Sequence, residues 1–457
     1  MSLMERLERQ KNMNPKASAE STEASRPPAK HTAALATLMD DYTELKTQMH
    51  SEIIDLINRD TAQVQEDGPE KEAFIRSAIE SVVAIRGENI PRSERSKIVS
   101  ELYSDIVGLG PIDPLLSDPD ITEIMVNGPS HVYVEMKGKL HLTEVKFRDD
   151  AHVMNVINRI VSSVGRRIDE SSPMVDARLA DGSRVNAIIP PCSLSGPTIT
   201  IRKFSKTPLT AADLIRFGSF SPQMVSFLEA CVKARLNIIV SGGTGSGKTT
   251  LLSVLSDYIP ENERIVTIED AAELQLRQEH VITLESKPAN VEGSGAITIR
   301  DLVRNALRMR PDRIVVGEVR SGETLDMLQA MNTGHDGSLT TAHANSPRDL
   351  MSRLETMVLM SGLEMPVKAI REQISSALDL VVQQARMRDG SRKVISISEV
   401  VGMEGDTITL QDIFVYRPSG YGPDGSHGAF TATGVRPGFV EKMADNGVPV
   451  NEEWFRS

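Results

Sequence analysis

The chain has 457 residues, 51 basic against 63 acidic side chains for a formal net charge of −12, 4% aromatic residues and two cysteines. That length accommodates about two to four domains, the acidic balance argues against a general polyanion binder, and the scarcity of aromatics argues against a stacking platform for single-stranded nucleic acid. Cys192 and Cys231 cannot build a disulfide framework and lack metal-ligand spacing, so both are expected to be small buried hydrophobes in a reducing cytosol.

Residues 1–30 are polar, mixed in charge and poor in large apolar groups, and are expected to be a disordered tail. No run approaches the roughly 18 apolar residues of a membrane span, and the start of the chain has no apolar signal-like core. A cytoplasmic protein is expected. Residues 31–107 read as a helical module. Leu35, Leu38, Tyr42, Leu45, Met49, Ile53 and Leu56 recur every three or four positions, as one helix face requires. Further faces run through Phe74, Ala78, Ile79 and Val82, and through Ile98, Leu102, Tyr103 and Ile106.

Residues 108–205 read as an α+β domain. Strands are expected over 121–126, 131–136 and 140–147, with a turn at Gly138 and a helix over 151–164. Asp181-Gly182 lies between two strand-like runs and signals a hairpin, and 198–202 is a further strand. A linker over 206–220 begins with a hinge at Lys206–Thr210. Over 221–417 strands and helices alternate, which implies right-handed crossovers and a mostly parallel sheet. Buried strands are expected at 236–240, 264–268, 281–283, 313–316 and 338–341, and helices at 297–309, 322–332, 347–360 and 366–378. Residues 418–457, rich in Gly and Pro, read as an extended tail with one short helix. The fold class is α/β.

The chain is organised around SGGTGSGKTT, residues 241–250. An apolar strand precedes it and an apolar-spaced helix follows, the context that makes the pattern a phosphate cradle. Gly242, Gly243, Gly245 and Gly247, with Thr244 and Ser246 between them, let successive N–H groups point inward, and the helix start adds its positive dipole end. Lys248 would reach the β/γ-phosphates of ATP, the Thr249 hydroxyl would ligate Mg2+, and Thr250 completes the pattern.

Nucleotide hydrolysis also needs acid at a neighbouring strand end and a group that reads the γ-phosphate. Glu269 and Asp270 follow one apolar strand, and Glu318 follows another. His335 and His343 bracket the next strand, with His343 at its carboxyl end. Both are candidates. They are not a zinc pair, because no further Cys or His converges with suitable spacing.

These blocks, taken together, resemble the type II/type IV secretion ATPase superfamily. SGGTGSGKTT is its Walker A, and TIEDAAEL (267–274) resembles its aspartate box. LRMRPDRIVVGEVRSGET (307–324) resembles its atypical Walker B, and TGHDGSLTTAHANSP (333–347) its histidine box. GLGPIDPLLSDPDITEIMVNGP (108–129) is similar to the N-terminal signature of the CpaF-type ATPases of Tad pili, and TATGVRPGF near the end is similar to the same branch. Two cysteines exclude the four-cysteine zinc motif usual in type II secretion and pilus-extension relatives. The resemblance covers about residues 98–457.

It implies a RecA-like P-loop motor behind a PAS-like N-terminal domain and a helical bundle, assembled as a hexamer. It implies Glu318 as the catalytic carboxylate that positions water, Glu269 as support for Mg2+ and water, and His343 as sensor of the γ-phosphate. Arg184 and Arg202 occupy the positions of the N-terminal-domain arginines that close over the phosphates, and Arg320 is a third contact. Ala271-Ala272 departs from many relatives and alters no role. The implied function is ATP hydrolysis that powers assembly, or assembly and retraction, of a Tad-type pilus through an inner-membrane platform protein, so that the membrane is met only through a partner. A type IV secretion ATPase exporting protein or DNA is the alternative. A nucleic-acid translocase would need a basic or aromatic stripe that is absent, and no direct nucleic-acid contact is expected. Residues 1–100 could instead form a regulatory or scaffolding module.

Overall fold

The computed structural model describes residues 32–60, 69–136, 138–204, 208–289, 293–422 and 425–456. The expected disordered tail and the first residues of the hinge lie outside them. Two compact units divide at Pro114 and Leu115.

The first unit is helical: α1 (Thr32–Asp60), α2 (Pro69–Arg86) and α3 (Arg92–Ile106), followed by the short α4 (Asp113–Ser117) at the junction. Met49, Ile53, Ile75, Ile79, Val82, Ile98 and Leu102 form its core. These are the expected faces with two changes. Ile75 rather than Phe74 points fully inward, and Leu56 is 36% exposed. The side chains of Leu35 and Leu38 lie outside the described residues.

The second unit opens with an antiparallel sheet of β1 (Ile121–Asn127), β2 (Val132–Met136), β3 (Lys139–Leu142), β4 (Met174–Arg178), β5 (Arg184–Ile188) and β6 (Thr198–Arg202), in the order β3-β2-β1-β6-β5-β4. Val126, Val132, Val134, Val185, Ala187, Ile199 and Ile201 alternate inward, as a half-buried sheet requires. α5 (Asp150–Ser163) follows β3. Its Asp149 cap accepts from the His152 amide, and it buries Val153, Val156, Ile157, Ile160 and Val161. The expected hairpin forms between β4 and β5, with Gly182 at φ +90°. The run expected as one strand over 140–147 ends at Leu142.

After α6 (Ala211–Arg216) and α7 (Pro222–Lys233), a nine-stranded sheet is built from β7 (Ile238–Gly242), β8 (Ile265–Glu269), β9 (Val281–Glu285), β10 (Arg313–Val316), β11 (Leu339–Ala342), β12 (Leu380–Arg386), β13 (Arg392–Glu404), β14 (Thr407–Gly422) and β15 (Gly425–Ala432). Their order is β15-β14-β13-β12-β7-β11-β10-β8-β9. β12, β7, β11, β10, β8 and β9 run parallel. The interleaved helices are α8 (Lys248–Ser256), α9 (Ile299–Ala306), α10 (Glu323–Asn332), α11 (Pro347–Leu359) and α12 (Val367–Ala377). Reciprocal Thr298–Asp301 and Thr210–Asp213 capping boxes start α9 and α6, and Ser221-Pro222 and Ser346-Pro347 start α7 and α11. One core lies under α7 and α8, the other under α9 to α12.

The chain after Pro418 differs from the expected extended tail. It completes β14, returns as β15 and then forms α13 (Val440–Asp445). Trp454 and Phe455 are buried against Phe227 of α7, which also meets Phe414 and Phe439. Single aromatics spaced among Gly and Pro carry no periodicity, so this core contribution is visible only in three dimensions. Among the described residues, no helix is long and apolar enough to cross a membrane.

Candidate functional site

β7 occupies the middle of the sheet, and at its carboxyl end the chain turns through Gly243–Gly247 into α8. Gly245 and Gly247 have φ of +69° and +94°, values that favour glycine. Gly242 is excluded from carrying a side chain by contact: a Cβ there would stand 2.3 Å from the Gln384 carbonyl oxygen of the neighbouring β12. The sequence thus builds the expected strand, loop and helix. Ser246 is buried with no partner for its hydroxyl, whereas Thr244 is exposed. Thr249 and Thr250 lie half-buried in the first turn of α8.

Lys248, only 7% exposed, turns back over the loop. Its Nζ donates to the Gly243 carbonyl at 3.1 Å and lies 3.1 Å from Nδ1 and 3.4 Å from Nε2 of His343. Burial, opposed by the Glu318 charge, lowers the Lys248 pKa. His343, just past β11, has its own pKa lowered by burial, so the neutral ring prevails at neutral pH. Its Nε2 is 3.0 Å from Oε1 of Glu318, in contact but without hydrogen-bond alignment, which leaves that buried oxygen unsatisfied. Arg320 Nη2 donates to the other Glu318 oxygen at 2.8 Å, and Arg320 Nη1 stands 3.5 Å from Asp270. Its bond to Glu318 raises the Arg320 pKa. Lys248, His343, Glu318 and Arg320 therefore form one connected line along the strand ends.

Glu269, buried to 3% exposure, belongs to a separate arrangement. Its carboxylate accepts from the backbone N–H groups of Glu273 and Leu274 at 3.1 Å each. A Cβ on Gly317 would stand 2.8 Å from its Cγ, so the glycine before Glu318 makes room for it. Burial outweighs those two bonds and raises the Glu269 pKa from 4.5 to about 7. A folded-state pKa above the unfolded one stabilises the protein fully below pH 4.5, and that stabilisation is lost as pH rises through about 7. Glu269→Gln, which cannot ionise, should therefore raise Tm relative to wild type more at pH 8 than at pH 5. Thermal melts at the two pH values check this, and an equal effect at both would contradict a buried, proton-holding carboxyl.

Arg184 and Arg202 stand directly opposite each other on β5 and β6, and Arg178 stands opposite Arg184 on β4. Like charges in register repel, and acids relieve the row. Arg184 pairs with Asp176 at 3.7 Å, and Arg202 with Glu123 at 3.2 Å and Glu273 at 3.8 Å. Arg202 is close enough for its charge to depress the Lys248 pKa. Arg178 was not singled out by the sequence, yet it bonds Glu285 at 2.8 Å and the Ala272 carbonyl. Arg386 and Arg392 were also missed. Arg392 Nε donates to the Gly245 carbonyl of the P-loop at 3.1 Å, and Arg386 Nη2 donates to the Gly138 carbonyl at 2.8 Å. The arginines flanking the Asp181-Gly182 turn, and those flanking the Asp389-Gly390 turn, were the available signal.

His335 is not brought to this cluster. It precedes β11 at the amino end of the parallel strands, where the Asn237 side chain accepts from the Gly337 and Ser338 amides, while the P-loop lies at the carboxyl ends. Bracketing a strand with two histidines necessarily puts them at opposite ends.

The residues present fit a nucleotide with Mg2+. Lys248, Arg202 and Arg320 supply positive charge, and orphaned buried oxygens remain on Ser246 and Glu318. No group of three or more His, Cys, Asp or Glu forms a metal cage among the described residues, as suits a Mg2+ held largely by phosphate oxygens.

A strand, glycine loop and helix in a parallel sheet, with acid and histidine at neighbouring strand ends, define a P-loop nucleotide-binding domain. Residues 105–421 match the family described as type II/IV secretion system protein, and the chain belongs to that family. A Mycobacterium tuberculosis protein described as a putative conjugal transfer protein is 38% identical over 310 residues, spanning 66% of this chain and 88% of the relative. The type IV secretion system protein VirB11 of Brucella abortus is 34% identical over 316 residues, spanning 63% of this chain and 87% of its own length. The solved structure of the VirB11 ATPase from the Brucella suis type IV secretion system, in complex with sulphate, is 32% identical, covers 63% of this chain and 95% of that one, and has a TM-score of 0.36.

Proposed function

We propose that the chain is a Mg2+-dependent ATPase that drives a pilus or secretion machine. The observation that carries this reading is the continuous contact from the P-loop Lys248 through His343 and Glu318 to Arg320. ATP with Mg2+ would supply the scissile γ-phosphate and the cation that neutralises it. The Gly243–Gly247 amides and Lys248 bind the phosphates, and the Thr249 hydroxyl offers one Mg2+ ligand. Glu318 orients water with its unsatisfied Oε1. Neutral His343, between Lys248 and Glu318, is placed to register the γ-phosphate by hydrogen bonding. Arg320 orients Glu318, and Glu269 would support the metal side. Arg202, with Arg184 beside it in register, closes from the antiparallel-sheet domain of β1 to β6 and α5, the small domain.

The machine is read as a Tad-type pilus, supported by residues 108–129 and by the two-cysteine count. In this reading six copies form a ring on the cytoplasmic side of an inner membrane and pull on a platform protein there. Type IV secretion is the second reading, favoured by the VirB11 and conjugal-transfer relatives.

Phosphate release by the purified full chain tests the activity. Turnover should appear with Mg2+ and vanish with EDTA, and no turnover under any Mg2+ concentration would sink the ATPase reading. Arg202→Ala should lower kcat by about tenfold or more while leaving ADP affinity nearly unchanged, because ADP lacks the phosphate that the arginine reads. Equal losses of ATP and ADP affinity would assign Arg202 to general electrostatics instead.

A further inference from the structure

The proposed chemistry uses the side of the P-loop that faces β10 and β11. The side facing β12 carries two further cations. Arg386 and Arg392 stand directly opposite each other where β12 meets β13, and among the described residues neither forms an ion pair with a carboxylate. Both guanidiniums bond backbone carbonyls instead: Arg392 that of Gly245 in the P-loop, Arg386 that of Gly138 in the β2–β3 turn. The glycines permit the close approach. A Cβ on Gly138 would stand 3.3 Å from Arg386 Nη2, one on Gly245 3.5 Å from Arg386 Nη1, and one on Gly247 3.0 Å from Arg392 Cδ. Burial and the Arg386 charge lower the Arg392 pKa, partly offset by Glu135 of β2.

We infer that Arg386 is a positioning residue that fastens the small domain to the P-loop, so that the Arg386–Arg392 pair carries a change in the P-loop backbone to the β2–β3 turn. The inference rests on the proposed nucleotide reaction for its consequence and on the geometry for its existence. Beyond the covalent linker, side-chain bonds among the described residues join the small domain to the motor on both sides of the P-loop. On the β8–β9 side Arg178 meets Glu285 and Arg202 meets Glu273. On the β12 side the contact is Arg386 to Gly138. Two attachments fix the angle at which Arg202 faces Lys248, whereas one attachment leaves a pivot. Displacement at Gly245 reaches Arg392 by a direct bond, and Arg386 shares its cross-strand position.

Exposed Cys192 on the small domain and an engineered Met360→Cys on the motor, itself 61% exposed, accept a donor–acceptor dye pair, while Cys231 is buried. In nucleotide-free protein, Arg386→Ala should broaden the distance distribution between the dyes, and Arg386→Lys, which keeps a donor, should restore much of its width. In phosphate-release assays Arg386→Ala should lower kcat about tenfold, with KM and fluorescent-ATP affinity within about threefold of wild type. An unchanged distribution in Arg386→Ala overturns the inference, whether or not the wild type hydrolyses ATP. A broadened distribution in a wild-type background that binds no nucleotide would support the fastening and refute the proposed function alone. A tenfold loss of ATP affinity in Arg386→Ala would make the residue a direct nucleotide ligand and overturn its positioning role.

Discussion

Glu318→Gln is expected to bind ATP with near-wild-type affinity and to release phosphate slower by about 10²–10⁴-fold, the range for losing a positioned base or water-orienting carboxylate. The shape of the side chain survives, so the 2.8 Å partner Arg320 still finds an oxygen. What disappears is the acceptor-only carboxylate whose free Oε1 lies beside His343. Fluorescent-nucleotide binding and steady-state phosphate release, measured together, separate the two effects. Glu269→Gln provides the contrast. Its carboxylate is bonded to the 273 and 274 amides and not to the Lys248 line, so its loss should cost less rate. A dead Glu269→Gln beside an active Glu318→Gln would reverse the two roles.

The difference between those two carboxylates marks where sequence reading stopped. Both follow apolar strands, and strand-end acid is a local pattern. Which one turns toward the P-loop depends on Gly317 making room for Glu269 and on amides four and five residues downstream of it. The P-loop and the buried strands β7, β8, β10 and β11 were legible because their signals are local: β-branched runs, glycine spacing and capping residues. Buried β12 was not, and β9, expected to be buried, is a half-exposed edge strand. The antiparallel extension β13–β15 was not, because Gly402, Gly420 and the surrounding turns interrupt its alternation. Arg178, Arg386 and Arg392 are invisible for another reason. Each bonds a group about 90 residues or more away along the chain, and an arginine near a turn otherwise reads as a solvated surface charge.

Lys248→Ala should abolish ATP turnover and weaken nucleotide affinity while the protein stays folded. The ammonium is the central positive charge of the cradle, held by Gly243 and His343 and surrounded by arginines that depress its pKa. Because that buried charge is partly desolvated, its removal should leave Tm within about 2–4 °C of wild type, a shift corresponding to roughly 1 kcal/mol in a domain of this size. The substitution also changes its neighbour. Lys248 holds the His343 pKa down and Glu318 pushes it up, so without the ammonium the imidazole should titrate at higher pH. Imidazole resonances followed by NMR across pH 5–8, in wild type and Lys248→Ala, read that shift independently of turnover. An unmoved His343 titration would mean that the Lys248–His343 contact is not made in solution. Near-wild-type phosphate release would go further and remove the P-loop from the chemistry, since an intact cradle without its lysine lacks the charge that stabilises the departing phosphates.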